Sequence, residues 1–339
     1  MLTNCQLIQE NRSIMTAQKL NADPFDASNL RKSLLAEVAP EKAVIDGIKQ
    51  TYSSFYGLNR LPSAEHLWGC VRSDNYEVVY QTFTPRLEES QRAQGCFYLL
   101  HGYYDHIGLY THLIRFLLEE GYEVVAVDLP GHGLSSGPRA SIISFDEYSR
   151  ALWQVLQISA QQRTKPLNLV GQSTGGAVII DWLLRSPFKE EFAIEKAVLM
   201  APLIKPWSWT QGLISFYLLS PFMNRLKRRF SKNSHDENFL RFLKEEPLQY
   251  NYLAVDWVRA LSRWIPAIEA ADPVSANCLI LQGEEDLTVD WQNNLATLQK
   301  KLPNADVCRY PGMRHHMVNE TEPLRLQWMT DFRRFLGQK

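Results

Sequence analysis

The chain has 339 residues, 45% of them hydrophobic, and sets 36 Lys and Arg against 37 Asp and Glu for a formal net charge of −1. That length and apolar fraction suffice for one large core with an insertion, or for two domains. The near-neutral balance argues against a general nucleic-acid partner, which would need a basic face for phosphates.

Residues up to about 60 are polar and helix-leaning. In Leu30 to Val38 the apolar positions recur every three to four residues, an amphipathic pattern, and we expect an N-terminal helical extension (1–60) that packs on the core. From about 76 the pattern alternates between strand and helix. Tyr76 to Thr84 reads as a half-exposed strand. Cys96–Leu100, Val124–Val127, Leu167–Val170, Ala197–Met200 and Cys278–Leu281 are short continuously apolar runs, as buried parallel strands should be. Helical stretches lie between them, at Leu109 to Glu119, Phe145 to Gln161 and Trp291 to Leu302. This alternation predicts an α/β fold, a mainly parallel doubly wound sheet covered on both faces.

The alternation breaks at 203–267, which we read as an all-helical insertion lying as a lid over the strand ends. It carries Trp207, Trp209, Phe216, Tyr217, Phe222, Trp257 and Trp264 beside the basic run Arg225, Lys227, Arg228 and Arg229. The core is then 61–202 and 268–339, closing with the strand Val307–Tyr310 and the helix Glu322 to Leu336.

Gly171-Gln172-Ser173-Thr174-Gly175 follows one of the apolar strands and opens onto a helix. In that context Gly-x-Ser-x-Gly is a turn tight enough to hold the serine strained at its apex, with Oγ exposed above the sheet. A serine hydroxyl is a weak nucleophile and needs a base, an acid to orient the base, and N–H donors for the oxyanion. In this architecture the acid and the histidine follow the serine in chain order. Gln282-Gly283-Glu284-Glu285-Asp286 comes directly after a strand, and among its three acids the spacing from Gly283 favours Asp286. After the last strand come His315 and His316, adjacent and unable both to point at the serine; we favour His315 as base. The oxyanion donors would be the amides of Thr174, after the serine, and Tyr103, in the loop His101-Gly102-Tyr103-Tyr104-Asp105-His106. His101 and His132 read as turn residues. The His315–Glu320 stretch lacks the His-Glu-x-x-His spacing of a zinc site, and neither a metal nor a cofactor is expected.

These stations, together with Asp128-Leu129-Pro130-Gly131-His132-Gly133-Leu134-Ser135 and Gly137-Pro138-Arg139, resemble the α/β-hydrolase superfamily. More narrowly they look like its monoacylglycerol lipase and bacterial lysophospholipase branch, over about 70 to 339. The resemblance implies Ser173 as nucleophile, His315 as base and Asp286 as orienting acid. It also places that branch's acid–His pair and following tyrosine on Asp105, His106 and Tyr110. The chain departs from the branch at Gln172 and Thr174, where the lipases usually carry His and Met, and at His316, often an acid or a small apolar residue there.

An aromatic lid flanked by cations suits an acyl chain and a lipid surface; the bland alternative is that its aromatics only pack it onto the core. The expected substrate is an ester of a single-chain lipid, a lysophospholipid or monoacylglycerol, with peripheral membrane contact through the lid. The competing expectations are a soluble carboxylesterase, thioesterase or aminopeptidase, and, more remotely, a non-catalytic ligand-binding protein. Five scattered cysteines without Cys-x-x-Cys spacing read as thiols in a reducing compartment. The N-terminal residues resemble no secretory signal, and no apolar run reaches about 18 residues. Those three observations predict a cytoplasmic location. Oligomeric state is not legible.

Overall fold

In the computed structural model, residues 25–35, 42–213, 225–228 and 231–337 are described; Phe216, Tyr217, Phe222 and Arg229 of the expected lid lie outside them. Two helices come first, α1 (Ala27–Leu35) and α2 (Lys42–Phe55). The sheet opens with β1 (Ser63–Ser73), β2 (Tyr76–Pro85), β3 (Cys96–Leu100), β4 (Glu123–Val127), β5 (Leu167–Gln172) and β6 (Ile194–Met200). Two three-residue strands, β7 (Arg225–Lys227) and β8 (Tyr252–Ala254), form a separate antiparallel ribbon. β9 (Cys278–Gly283) and β10 (Asp306–Tyr310) complete the sheet, whose order is β1-β2-β4-β3-β5-β6-β9-β10. From β4 to β10 every neighbouring pair is parallel, while β1 and β2 run antiparallel at one edge.

The covering helices are α3 (Thr111–Glu119), α4 (Asp146–Ser159), α5 (Thr174–Arg185), α6 (Glu237–Glu245), α7 (Val255–Ala270), α8 (Trp291–Lys301) and α9 (Glu322–Leu336). Strand side chains alternate between two cores, as pleating requires. Tyr98, Leu100 and Val125 face one, with Leu152 of α4 and Leu261 of α7; Phe97, Leu99 and Val124 face the other, with Phe116 of α3 and Trp328 of α9. β3, β4, β5 and β9 are buried along their whole length, which is why each is built on a mainly apolar run, with Glu123, Asn168, Gln172 and Gln282 as buried polar members.

Three differences from the sequence reading have physical causes. β1 was not anticipated: its burial is irregular at the sheet edge, so it lacks a clean alternating pattern. β2 is more buried than a half-exposed strand, because α1 and α2 cover it. Leu30 and Tyr52 are fully buried in the same core as Val79 and Phe83, and Tyr52 packs edge-on to Trp68 of β1, ring centroids 5.2 Å apart. The insertion is not all helical in its described part. Cations cap the β7–β8 ribbon, with the Arg225 guanidinium 4.2 Å from the Tyr252 ring centroid, a cation–π contact. The boundary placed at 267/268 also falls inside α7, which continues to Ala270.

Part of the aromatic insertion simply packs. Trp257 stacks on Tyr103 (3.9 Å) and Trp264 on Phe145 (4.7 Å), and the Trp264 indole N–H donates to the buried Asp181 at 2.9 Å. Trp207 is exposed. No helix of the described residues is long and apolar enough to cross a membrane.

Candidate active site

The turn after β5 is shaped by two close approaches. A Cβ on Gly171 would lie 2.4 Å from the Gly175 carbonyl carbon, and one on Gly175 would lie 2.0 Å from the Leu100 carbonyl oxygen. Only glycine fits where backbone meets backbone. Between them Ser173 takes φ 55 and ψ −112, a strained conformation for a residue with a side chain. Backbone bonds hold it there: Ser173 N–H donates to Met200 O (2.9 Å), while its own carbonyl accepts from Ala177 (3.0 Å) and Leu203 (3.1 Å). Thr174 is the first residue of α5, so its N–H has no partner inside the helix.

Asp286 is fully buried on the loop after β9. Its Oδ1 accepts from the Thr288 and Val289 amides at 2.8 and 3.1 Å, and its Oδ2 accepts from His315 Nδ1 at 2.7 Å and from Gln282 Nε2 at 3.2 Å. With Nδ1 donating to the carboxylate, the other ring nitrogen of His315 is left unprotonated, as a proton acceptor. The Asp286 and His315 loops are pressed together at Gly283, where a Cβ would meet Met313 O at 2.3 Å, and are tied by Glu285 N–H to Met313 O (3.0 Å). The competing acids are engaged elsewhere. Glu284 pairs with Arg309 (3.5 Å), and Glu285 with His235 (3.4 Å) and Arg314 (3.8 Å).

His316 turns the other way. Its Nε2 lies 3.3 Å from Asp105 Oδ2, and its Nδ1 is 3.3 Å from Gln172 Nε2. Gln172 Oε1 accepts from Val318 N–H at 3.1 Å, so its amide nitrogen is the donor toward Tyr110 Oη (3.4 Å) and His316 Nδ1. Nδ1 is therefore the acceptor, and the ring proton lies on Nε2, facing Asp105. Tyr110 Oη donates to Asp105 Oδ2 and accepts from Gly102 N–H, both at 2.8 Å. Burial opposes ionisation of Asp105, but the facing His316, together with His101 and the Tyr110 hydroxyl, holds its carboxyl below the usual range. The network fixes the loop after β3 against the serine: a Cβ on Gly102 would be 3.4 Å from Ser173 Cβ. Since the Gly102 amide is taken by Tyr110, the next amide along the loop is that of Tyr103.

Two other histidines are structural, as expected. His101 Nε2 accepts from Leu129 N–H (2.9 Å), which puts its proton on Nδ1, donating to Gly102 O (2.7 Å). Burial pushes His132 down to about 3, and its Nδ1 bonds Pro130 O at 2.9 Å.

Ser173, Asp286, His315, Tyr103 and Thr174, each picked out from the sequence, thus lie on loops at one end of the parallel strands, the edge at which sheets of this kind keep their sites. The sequence did not reveal that Gln172 and His316, two separate departures from the lipase pattern, touch each other. Nor did it reveal Glu246, a buried carboxylate that accepts from Tyr56 Oη (2.7 Å) and lies 3.3 Å from His106 Nε2. The signal available was the pair of departures itself.

A mostly parallel sheet with a strained serine after its central strand and an acid–histidine pair on later loops defines an α/β hydrolase. Residues 91–322 match the family described as serine aminopeptidase, S33, and the chain belongs to that family. It is similar to a monoacylglycerol lipase of Mycolicibacterium smegmatis, 25% identical over 257 residues, covering 72% of this chain and 88% of that one. It is also similar to phospholipase YtpA of Bacillus subtilis, 26% identical over 254 residues, covering 69% and 92%. Among solved structures, a soluble variant of monoglyceride lipase from Saccharomyces cerevisiae in complex with a substrate analog superposes with a TM-score of 0.67 at 19% identity, over 81% of this chain and 95% of that one. The monoacylglycerol lipase of Paleococcus ferrophilus gives 0.61 at 20% identity, over 76% and 96%. At those identities the structural likeness speaks to the fold alone.

Proposed function

We propose that the chain is a serine ester hydrolase acting on single-chain lipids, a lysophospholipid or a monoacylglycerol, through an acyl-enzyme. The observation that carries this reading is the 2.7 Å bond from His315 to the buried Asp286, on loops adjoining the strained Ser173. Asp286 orients His315 and stabilises the imidazolium that forms as His315 takes the Ser173 proton. Ser173 Oγ then attacks the ester carbonyl, and the amides of Thr174 and Tyr103 receive the developing oxyanion. His315 protonates the leaving alcohol, then activates water to release the acid.

The lipid substrate is supported by the relatives named as monoacylglycerol lipase and phospholipase. Residues 203–267 would act as a lid over this edge and residues 1–60 as an extension packed on the core; peripheral membrane contact of a cytoplasmic protein would run through the lid. A fluorophosphonate probe and a chain-length series test the reading together. The wild type should be labelled and Ser173→Ala should not. Long-acyl lysophospholipids and monoacylglycerols should be preferred over acetyl esters. Preference for acetyl esters, or turnover of aminoacyl amides, would point to a soluble esterase or an aminopeptidase. Full turnover by Ser173→Ala would refute the mechanism.

A further inference from the structure

Beside the candidate site lie two adjoining cavities, of about 480 and 590 Å³, which share Ser231, Lys232 and Arg314 in their walls. The second is bounded by His315 itself. The first is lined by Arg228, Lys232, Arg241, Lys244 and Arg314, with Glu237 as the one carboxylate among the described residues of its wall. Five cations line this cavity against a single carboxylate in its described wall, a local excess of positive charge that favours a negatively charged ligand.

The cations differ in how they are held. The Arg228 guanidinium is fixed over the Tyr104 ring at 3.9 Å and donates to Gln249 Oε1 at 2.5 Å. Arg314 donates to Ser234 O at 3.0 Å, with its Nε 3.8 Å from Glu285. His235 lies in the same wall but is taken up by Glu320 (3.1 Å) and Glu285 (3.4 Å). Lys232 and Lys244 form no ion pair among the described residues and are exposed. Positioned guanidinium forks with exposed ammonium groups beside them are the donor set that binds phosphate oxygens. Ser231 adds a hydroxyl where the two cavities join.

We propose that this cavity is a phosphate-binding subsite, which takes the phosphate on the alcohol side of the substrate ester and selects phosphate-bearing monoacyl lipids over uncharged glycerides. The placement fits, because Arg314 is bonded in the chain to His315. A phosphate held between Arg314 and Lys232 would sit at the wall the two cavities share, the second of which is bounded by His315, the base proposed to protonate the leaving alcohol. Glu284, in the second cavity, is paired with Arg309, while Glu285 is shared between His235 and Arg314, so neither acid pairs with Lys232, Arg241 or Lys244 among the described residues. The identity of the ligand rests on the ester-hydrolase reading above; the anion site itself does not.

The test compares wild type with Lys232→Ala/Arg241→Ala, two exposed positions whose loss should leave the melting temperature within the range of ordinary surface changes. The ratio of kcat/KM for a lysophosphatidyl lipid to that for the monoacylglycerol of the same chain should fall by at least about tenfold, the effect of one good charge-assisted contact. An unchanged ratio, or an equal fall on both substrates, overturns the subsite. In parallel, phosphorus NMR follows binding of glycerol 3-phosphate and of inorganic phosphate to Ser173→Ala with and without the two substitutions. Substitution-sensitive binding of glycerol 3-phosphate supports the proposal; if inorganic phosphate alone binds there and the substrate ratio does not move, the cavity is a free-ion site and the proposal fails. Fluorophosphonate labelling of both proteins separates the two levels. Labelled enzyme with unchanged preference removes only the subsite, whereas unlabelled wild type removes the hydrolase reading and leaves the binding arm to decide the anion site.

Discussion

Gln172 and His316 meet beneath the candidate site, the amide nitrogen of one 3.3 Å from Nδ1 of the other. Each is flanked by a residue of the proposed triad, Gln172 preceding Ser173 and His316 following His315. Two of the three positions at which the chain departs from the lipase pattern are therefore one contact. Through Tyr110 that contact reaches Gly102 and the loop offered for the oxyanion.

Replacing either partner should cost more than its own packing. Gln172→Leu strands the buried Val318 N–H and removes a donor to Tyr110, a loss of about 1–3 kcal/mol in urea unfolding. His316→Leu leaves the buried Asp105 with the Tyr110 hydroxyl as its remaining side-chain hydrogen-bond donor. A double-mutant cycle should return a coupling of about 1 kcal/mol. Strict additivity would mean the two side chains do not act as a unit.

Asp286→Asn keeps the shape of the residue and an oxygen for the Thr288 and Val289 amides, so the fold should hold. The amide cannot stabilise a charged His315, and it favours the wrong tautomer. Turnover should drop by roughly 10³–10⁴-fold with a near-normal melting temperature. Pre-steady-state acylation by a p-nitrophenyl ester checks it; a loss under tenfold would remove Asp286 from the proposed role.

Gly175→Ala places a methyl group 2.0 Å from the Leu100 carbonyl oxygen, and a backbone atom of a buried strand has nowhere to retreat. We expect a loss of at least about 3 kcal/mol, or no soluble protein. Gly212→Ala, whose Cβ would meet nothing within 4 Å, is the control and should be nearly neutral. Calorimetric melting of the two decides.

The pair His106–Glu246 makes stability depend on pH with a defined sign. Burial works against the charged His106, yet Glu246 raises its pKa above the ordinary 6.5. Burial also works against ionised Glu246, yet His106 and Tyr56 hold it below 4.5. The histidine's contribution is complete below 6.5 and lost as pH rises through its raised value. The glutamate's contribution is complete above 4.5 and lost as pH falls through its lowered value. The pair therefore stabilises most between 4.5 and 6.5. Glu246→Gln should be less stable there by about 3 kcal/mol, as expected when a buried pair loses one partner. The gap in urea midpoint should narrow as the solution becomes alkaline; a gap constant from acid to alkaline pH would show that the pair is not ionised.

What could be read beforehand follows from how each feature is encoded. β3, β5 and β9 are buried on both faces, so their sequences are dominated by apolar residues and announce themselves, with Asn168, Gln172 and Gln282 as buried polar members. Ser173, Asp286 and His315 each sit at a turn with glycine close by, so local sequence identified them. β1 lies at an edge with mixed exposure, and β7 and β8 are three residues each, too short to carry a period. Asp105–His316 and His106–Glu246 join loops far apart in the chain, and a contact between distant loops leaves no spacing to read.

Tyr103 is gripped at both ends. Its hydroxyl donates to Ala140 O at 2.7 Å, and its ring lies flat on Trp257 of α7. The residue proposed to offer its amide to the oxyanion is thereby geared to the helix that closes the insertion. A rotation of α7 large enough to admit a substrate tail would drag the Tyr103 ring with it and detune the oxyanion donor. Under the proposed mechanism, entry and chemistry would then alternate, with the donor realigned only when the helix has settled back.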